Sequence, residues 1–179
     1  VGMRVLLLVP KNPDTFWSFE HVMHFVSKKC AFPPLGLLTV AAMLPREWEL
    51  ELVDLNVGRL RDEQLERADY VMLSAMIVHR ESVHELAARC TKLGRPLIAG
   101  GPLFTTGHEE FPEIAHFVLG ESEDLIVELV ADMERGIKNI PKKFSEIARQ
   151  NKMLVKETGQ MHYNLGVFYT RNQEYERAL

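Results

Sequence analysis

Five short stretches of small and polar residues stand out because each of them follows an apolar run. Small residues let a large, flat ligand approach the backbone, and Ser, Asn and Glu side chains offer hydrogen bonds. One such stretch is typical of an ordinary turn, but five together predict a ligand-binding edge. The residues that we predict to hold this ligand are Pro10, Asp54, Leu55, Asn56, Ser74, Ala75, Met76, Gly100, Gly101, Pro102, Gly120 and Glu121.

The apolar runs in front of these stretches predict the elements that position them. Hydrophobicity in the first run is continuous rather than alternating, which is typical of a strand covered on both faces. We predict strands at 3–9, 48–53, 70–73, 97–99 and 116–119, and helices at 35–44, 62–67, 81–93 and 123–135. The connection between the last two strands shows no clear helical pattern.

This alternation predicts an α/β fold with a parallel sheet and right-handed crossovers. Five strands favour the flavodoxin-like, Rossmann-like order 2-1-3-4-5. In such sheets, ligands bind beyond the carboxyl ends of the strands, at the switch point where the strand order reverses.

Charge and motifs argue against several classes of protein. The net charge of −4 and the isoelectric point near 6.0 give no basic surface for nucleic acid. No apolar run is long enough to cross a bilayer. GxxxxGK[ST] does not occur and GxGxxG does not follow the first strand, which argues against the common nucleotide sites. The apolar start runs into Pro10 and Lys11 without a small-residue cleavage site, so we predict a cytoplasmic protein without a signal peptide.

The cysteines and histidines suggest no metal site. Cys30 and Cys90 are too few for an all-cysteine zinc site or iron–sulfur cluster within this chain. His21 and His24 are three residues apart but have no evident third ligand. His79 and His84 are five apart and share no helical face, so we predict that both are exposed to solvent.

The ordered loop segments also resemble a known family. They are similar to the amino-terminal cobalamin-binding domain of radical SAM enzymes, and the resemblance covers residues 3 to about 136. It implies a domain at 1–136 that holds the corrin of cobalamin over the strand ends. It also implies a following barrel with CxxxCxxC for an iron–sulfur cluster and S-adenosylmethionine, and a methyltransferase system. The segments are Pro33-Pro34-Leu35-Gly36-Leu37-Leu38-Thr39-Val40-Ala41-Ala42, Val53-Asp54-Leu55-Asn56, Ser74-Ala75-Met76, Ala99-Gly100-Gly101-Pro102 and Leu119-Gly120-Glu121.

The sequence departs from this family pattern in two ways. CxxxCxxC is absent, so we expect no iron–sulfur cluster and no radical chemistry in this chain. Cobalamin domains of the methionine synthase and mutase type carry DxHxxG, whose His ligates cobalt, whereas Asn56 takes the His position here and Gly58 comes one place early. An amide is a poor cobalt ligand. The lower face of a bound corrin is then unligated, hydrated or contacted from another loop.

Residues 137–179 form a separate helical tail in this interpretation. The spacing of Leu165, Gly166, Tyr169 and Ala178 resembles the start of a tetratricopeptide repeat. Because such repeats need neighbours to bury their faces, the tail is either the start of a repeat array or a docking helix pair.

Three functions remain open from the sequence, and the weakest of them is an enzyme that acts on another nucleotide-like ligand in the same crevice. The first is a cobalamin-binding module of a radical SAM methyltransferase system, whose partner is a radical SAM barrel and which does not catalyse alone. The second is a non-catalytic scaffold, in which a degenerate cobalamin-binding fold accompanies a tail that recruits a protein partner.

Overall fold

A computed structural model of the chain describes residues 2–13, 34–114, 116–120, 122 and 125–136. Five parallel strands in these residues form one sheet in the order β2-β1-β3-β4-β5, which confirms the predicted α/β fold. Every strand boundary lies within one residue of its predicted position. The strands are β1 (Arg4–Val9), β2 (Glu49–Asp54), β3 (Tyr70–Ser74), β4 (Leu97–Gly100) and β5 (His116–Val118).

Helices connect the strands on both faces of the sheet. They are α1 (Leu35–Met43), α2 (Asp62–Arg67), α3 (Arg80–Lys92), α4 (Pro102–Gly107) and α5 (Ile126–Glu134), with short 3-10 turns at Ile77–His79 and His108–Glu110. None of the helices in the described ranges is long and apolar enough to cross a membrane.

Two of these helices differ from the prediction. The connection between β4 and β5 is helical, because Pro102 presets the first turn of α4 and the side chains of Leu103 and Phe104 are buried. Helix α5 begins at Ile126 rather than at 123. The tail at 137–179, with its repeat-like pattern, lies outside the described residues.

The first strand separates two hydrophobic cores. Its side chains alternate between the faces of the sheet, so that Leu6 and Leu8 join one core while Val5, Leu7 and Val9 join the other. All five are buried, which is why this run is continuously apolar. Strand β2 differs because it lies at the edge of the sheet, and its first four residues are exposed.

Parallel pairing aligns the carboxyl ends of the strands along one edge. Val9 pairs with Asp54 at the end of β2, and Ser74 pairs with Gly100 at the end of β4. Strand β1 lies between β2 and β3, so the order reverses at the β1–β3 boundary. The loops after β1 and β3 therefore flank the switch point where ligands bind in such sheets.

Candidate functional site

The loop after β2 is built around the Asp54 carboxylate. Its Oδ1 atom accepts hydrogen bonds of 2.8 Å from both the backbone N and the side-chain Nδ2 of Asn56. The backbone carbonyl of Asp54 accepts bonds from the amides of Val57 and Gly58 and thereby closes a turn. Asn56 is thus held half-buried at the carboxyl edge.

The Asn56 side chain also ties this loop to the loop after β1. Its Nδ2 atom donates to the Pro10 carbonyl over 3.1 Å, and its Oδ1 atom accepts from the Asn12 backbone N over 2.8 Å. Both amide hydrogens and one oxygen lone pair are therefore used within the protein. This geometry gives Asn56 a structural role, since its side chain joins the two loops.

His79 continues the connection to the loop after β3, and the prediction that it is exposed was wrong. The residue is 5% exposed, and it is the last residue of the 3-10 turn that follows β3. Its Nδ1 atom accepts a hydrogen bond from the Met76 backbone N over 3.2 Å, and its Nε2 atom lies 2.7 Å from Asn12 Oδ1. Since Nδ1 is an acceptor, the ring proton resides on Nε2 and is donated to Asn12. We call Asp54, Asn56, Asn12, His79 and Met76 the loop network.

Burial acts on the charge of this histidine. It lowers the pKa of His79 below its usual value because it disfavours the imidazolium form, while the nearby Asp54 carboxylate acts in the opposite direction. The neutral ring is also the form that can accept the Met76 hydrogen bond. The neutral form of His79 that burial favours is therefore also the form that its hydrogen bonds require.

A glycine packs the loops after β3 and β4 tightly together. Gly101 has φ +97°, and a Cβ atom there would lie 2.8 Å from Ser74 Oγ and 2.9 Å from the Ala75 carbonyl. Ala75 donates to the Gly100 carbonyl and accepts from the Leu103 amide, each over 3.0 Å. Loop packing thus accounts for Gly101 without any ligand.

The remaining predicted residues lie around this packed centre. Gly120 has φ +90° with open space beside it, and its amide donates to Thr105 Oγ1 over 3.3 Å. Pro102 is exposed at the start of α4, and Leu55 is half-buried against the core. Glu121 lies outside the described residues.

An apolar surface borders the switch point. Met76, Ile77 and Val78 are 52%, 59% and 56% exposed, and they follow β3 after the buried Ala75. Val57, after β2, is exposed as well. Adjacent exposed apolar side chains of this kind mark contact with an apolar ligand or a partner. We call Met76, Ile77 and Val78 the apolar rim; only Met76 of the three was predicted from the sequence.

The histidines and cysteines of the described residues bring no metal ligands together. The described ranges contain no group of three or more His, Cys, Asp or Glu side chains that could hold an ion. Cys90 is buried in the core as its apolar helix predicts, and burial raises the pKa of its thiol to about 11. His21, His24 and Cys30 lie outside the described residues.

The fold and its carboxyl edge define a class, the flavodoxin-like domains that bind a ligand at the switch point. Within that class, the chain belongs to the B12 binding domain family, which matches residues 27–130, more than half of the chain. This finding supports cobalamin as the ligand of the domain.

Two curated relatives are similar to the chain. An uncharacterized methyltransferase of Synechocystis sp. is 38% identical over 136 residues, which cover 75% of this chain and 25% of that protein. The hopanoid C-2 methylase of Rhodopseudomonas palustris is 29% identical over 135 residues, which cover 75% of this chain and 26% of that protein. The matched part of the chain therefore spans about a quarter of the length of these relatives.

The described residues at the switch point fit an apolar ligand such as cobalamin. The apolar rim offers contact surface for a large ring, and the loop network holds the adjoining loops together. The Asn56 amide, by contrast, is held by Asp54, Pro10 and Asn12 and has no free hydrogen to offer.

Proposed function

We propose that the chain is the cobalamin-binding part of a methyltransferase system of the radical SAM type. The observation that carries this proposal is the position of the B12-binding match. Residues 27–130 include the loops after β2, β3, β4 and β5, which the sheet gathers along one edge. The methyltransferase and methylase names of the two relatives support the reaction class.

The residues of the carboxyl edge have separate roles in this proposal. The apolar rim contacts the corrin, and Ser74 together with the main chain of Gly100 and Gly101 contacts its polar substituents. Asp54 and Asn56 hold the loops rather than the cofactor. When bound, cobalamin supplies the chemistry of methyl-group transfer.

The thiolates of the radical SAM cluster come from outside these 179 residues in this proposal. The sequence holds two cysteines, and Cys90 is buried in the core. A radical SAM cluster of the CxxxCxxC type needs three. The chain therefore acts with a radical SAM barrel and is not catalytic alone.

Retention of a corrin tests the proposed function. The full chain is mixed with hydroxocobalamin, desalted, and examined by absorbance spectroscopy. We expect retained corrin absorbance at about one cofactor per chain, and a chain that elutes colourless contradicts the proposal.

A matched pair of variants tests the place of binding. Val78→Asp adds a charge to the apolar rim, whereas Leu50→Asp adds the same charge to an exposed position near the amino end of β2. We expect Val78→Asp to lose corrin retention and Leu50→Asp to keep it, because a charge beside an apolar ligand loses solvation. Equal retention by the two variants would contradict binding at the rim.

The alternative function is a non-catalytic scaffold with a degenerate cobalamin fold. It rests on Asn56 in place of the usual histidine and on the tail at 137–179, which lies outside the described residues. Stoichiometric corrin retention would count against it.

A further inference from the structure

The hydrogen bond between Asn12 and His79 crosses the switch point of the sheet. Asn12 follows β1 and His79 follows β3. These strands are neighbours in the sheet, but the loops after them lead into different crossover connections. Yet Asn12 Oδ1 and His79 Nε2 are 2.7 Å apart although the residues are 67 positions apart in the chain. The topology alone would allow the loops after β1 and β3 to separate. The hydrogen bond between the two side chains joins them.

Both ends of this contact are anchored. The Asn12 backbone N donates to Asn56, which is held in turn by Asp54. His79 accepts from the Met76 backbone N on its other side. The contact is therefore the central link of a chain of hydrogen bonds that runs across the ends of β2, β1 and β3.

The same contacts decide what His79 can do. Metal ligation by imidazole requires a nitrogen lone pair. The Nδ1 lone pair is used by the Met76 amide, and Nε2 carries the proton that Asn12 accepts. In this arrangement, His79 holds the protein rather than a cobalt atom.

The link also fixes the apolar rim, because Met76 is part of both. Its side chain is half exposed while its backbone N is bound to His79. A rim that is ordered before the ligand arrives loses less conformational freedom on binding.

We propose that the Asn12–His79 contact is a positioning bridge that holds the loops at the switch point in place before their ligand binds. With cobalamin as that ligand, the proposal rests on the proposed function. His79 acts through the loop after β1, and Asn12 is its essential partner.

Two substitutions of His79 separate the bridge from the rest of its contacts. His79→Gln places an amide NH₂ near the Nε2 position and keeps a donor for Asn12. His79→Asn places its oxygen near the Nδ1 position, keeps an acceptor for Met76, and loses the bridge. Asn12→Ala breaks the bridge from the half-buried loop side and leaves the core untouched.

The first readout needs no cofactor. In the full chain, hydrogen–deuterium exchange of the backbone amide at position 12 reports how firmly the loop after β1 is held. We expect faster exchange in His79→Asn and nearly wild-type exchange in His79→Gln. Equal exchange in the wild type and His79→Asn would overturn the bridge, whether or not cobalamin binds.

The second readout is the dissociation constant of hydroxocobalamin, measured by absorbance titration. We expect His79→Asn and Asn12→Ala to weaken binding about tenfold and His79→Gln to bind like the wild type. Wild-type affinity in both His79→Asn and Asn12→Ala would overturn the proposal. If the wild type binds no cobalamin while exchange changes as expected, the proposed function fails and the bridge stands.

Electron paramagnetic resonance tests the competing role of His79 as a ligand. Cob(II)inamide lacks the nucleotide base of cobalamin, so any three-line nitrogen splitting must come from the protein. We expect no such splitting in the wild type. Splitting that disappears in His79→Gln would show ligation and overturn the positioning role.

Discussion

The two halves of the carboxyl edge are held together by different kinds of interaction. On the side of β1, β2 and β3, the buried His79 and the half-buried Asn12 and Asn56 join the loops through hydrogen bonds. On the side of β3 and β4, the loops touch through backbone atoms, and Gly101 leaves no room for a Cβ atom. The structure of the first side therefore depends on side-chain hydrogen bonds and on pH. That of the second side depends on the absence of a Cβ atom at Gly101.

The largest effect is expected from filling the space at Gly101. Gly101→Ala combines a left-handed backbone with a clash against Ser74 and Ala75, whereas Gly120→Ala has the same kind of backbone and open space. We expect losses in the free energy of unfolding of about 3 kcal/mol for the first and about 1 kcal/mol for the second. Urea titrations measure the free energy of unfolding of both variants. Equal losses would show that the close contact at Gly101 does not affect stability.

A smaller loss is expected from the hydrogen-bonded side. Asn56→Leu removes the partner of Pro10, Asn12 and Asp54 and leaves their polar atoms without it. We expect the free energy of unfolding to fall by about 2 kcal/mol, since each half-buried group regains part of its hydration. A loss below about 0.5 kcal/mol in the same titration would mean that water replaces these bonds at little cost.

The hydrogen-bonded side should also respond to pH. Burial places the pKa of His79 in the folded chain below its ordinary value of about 6.5. Between these two values, the unfolded chain binds more protons than the folded one. The stability contributed by the neutral ring is therefore present above about pH 6.5 and is lost as the pH falls through the folded pKa.

His79→Gln is the control for this pH effect because glutamine does not titrate. We expect the free energy of unfolding to fall more between about pH 7 and pH 5 in the wild type than in His79→Gln. Parallel pH profiles for the two proteins would place the acid sensitivity at other groups.

The smallest effect is expected from Thr105. Its hydroxyl accepts from the Gly120 amide and donates to the Gly101 carbonyl, so it is a polar contact on the close-packed side. Thr105→Val keeps the shape and removes these bonds, and we expect a loss of about 1 kcal/mol by urea titration. A loss larger than that of Asn56→Leu would reverse the proposed contrast between the two sides.

The strand positions could be predicted from the sequence because each strand is a short segment rich in apolar residues that is followed by small or polar residues; β1 is continuously apolar, whereas the edge strand β2 alternates Glu and Leu. Strand order followed from the same pattern and is confirmed. The bridge could not be predicted, because Asn12 and His79 are 67 residues apart and meet only when β1 and β3 pair. His79 was judged by its spacing from His84, whereas its place in the turn directly after a strand was the informative signal.

At Gly101, the sequence pattern was informative but allowed more than one explanation. Its position after a strand end predicted a ligand contact, but the structure shows that Ser74 and Ala75 already require a glycine there. Contact between Gly101 and a ligand remains a prediction. The same pattern of residues serves loop packing and ligand binding, and only neighbouring atoms tell the two apart.

The buried imidazole of His79 also gives the domain a built-in spectroscopic reporter. An Nε2 proton that is shielded from water and donated to Asn12 exchanges slowly, so its signal should be visible in a ¹H–¹⁵N spectrum recorded for histidine side chains. That signal originates at the switch point itself. A molecule entering the crevice would shift it, and occupancy could be followed without attaching a label to the protein.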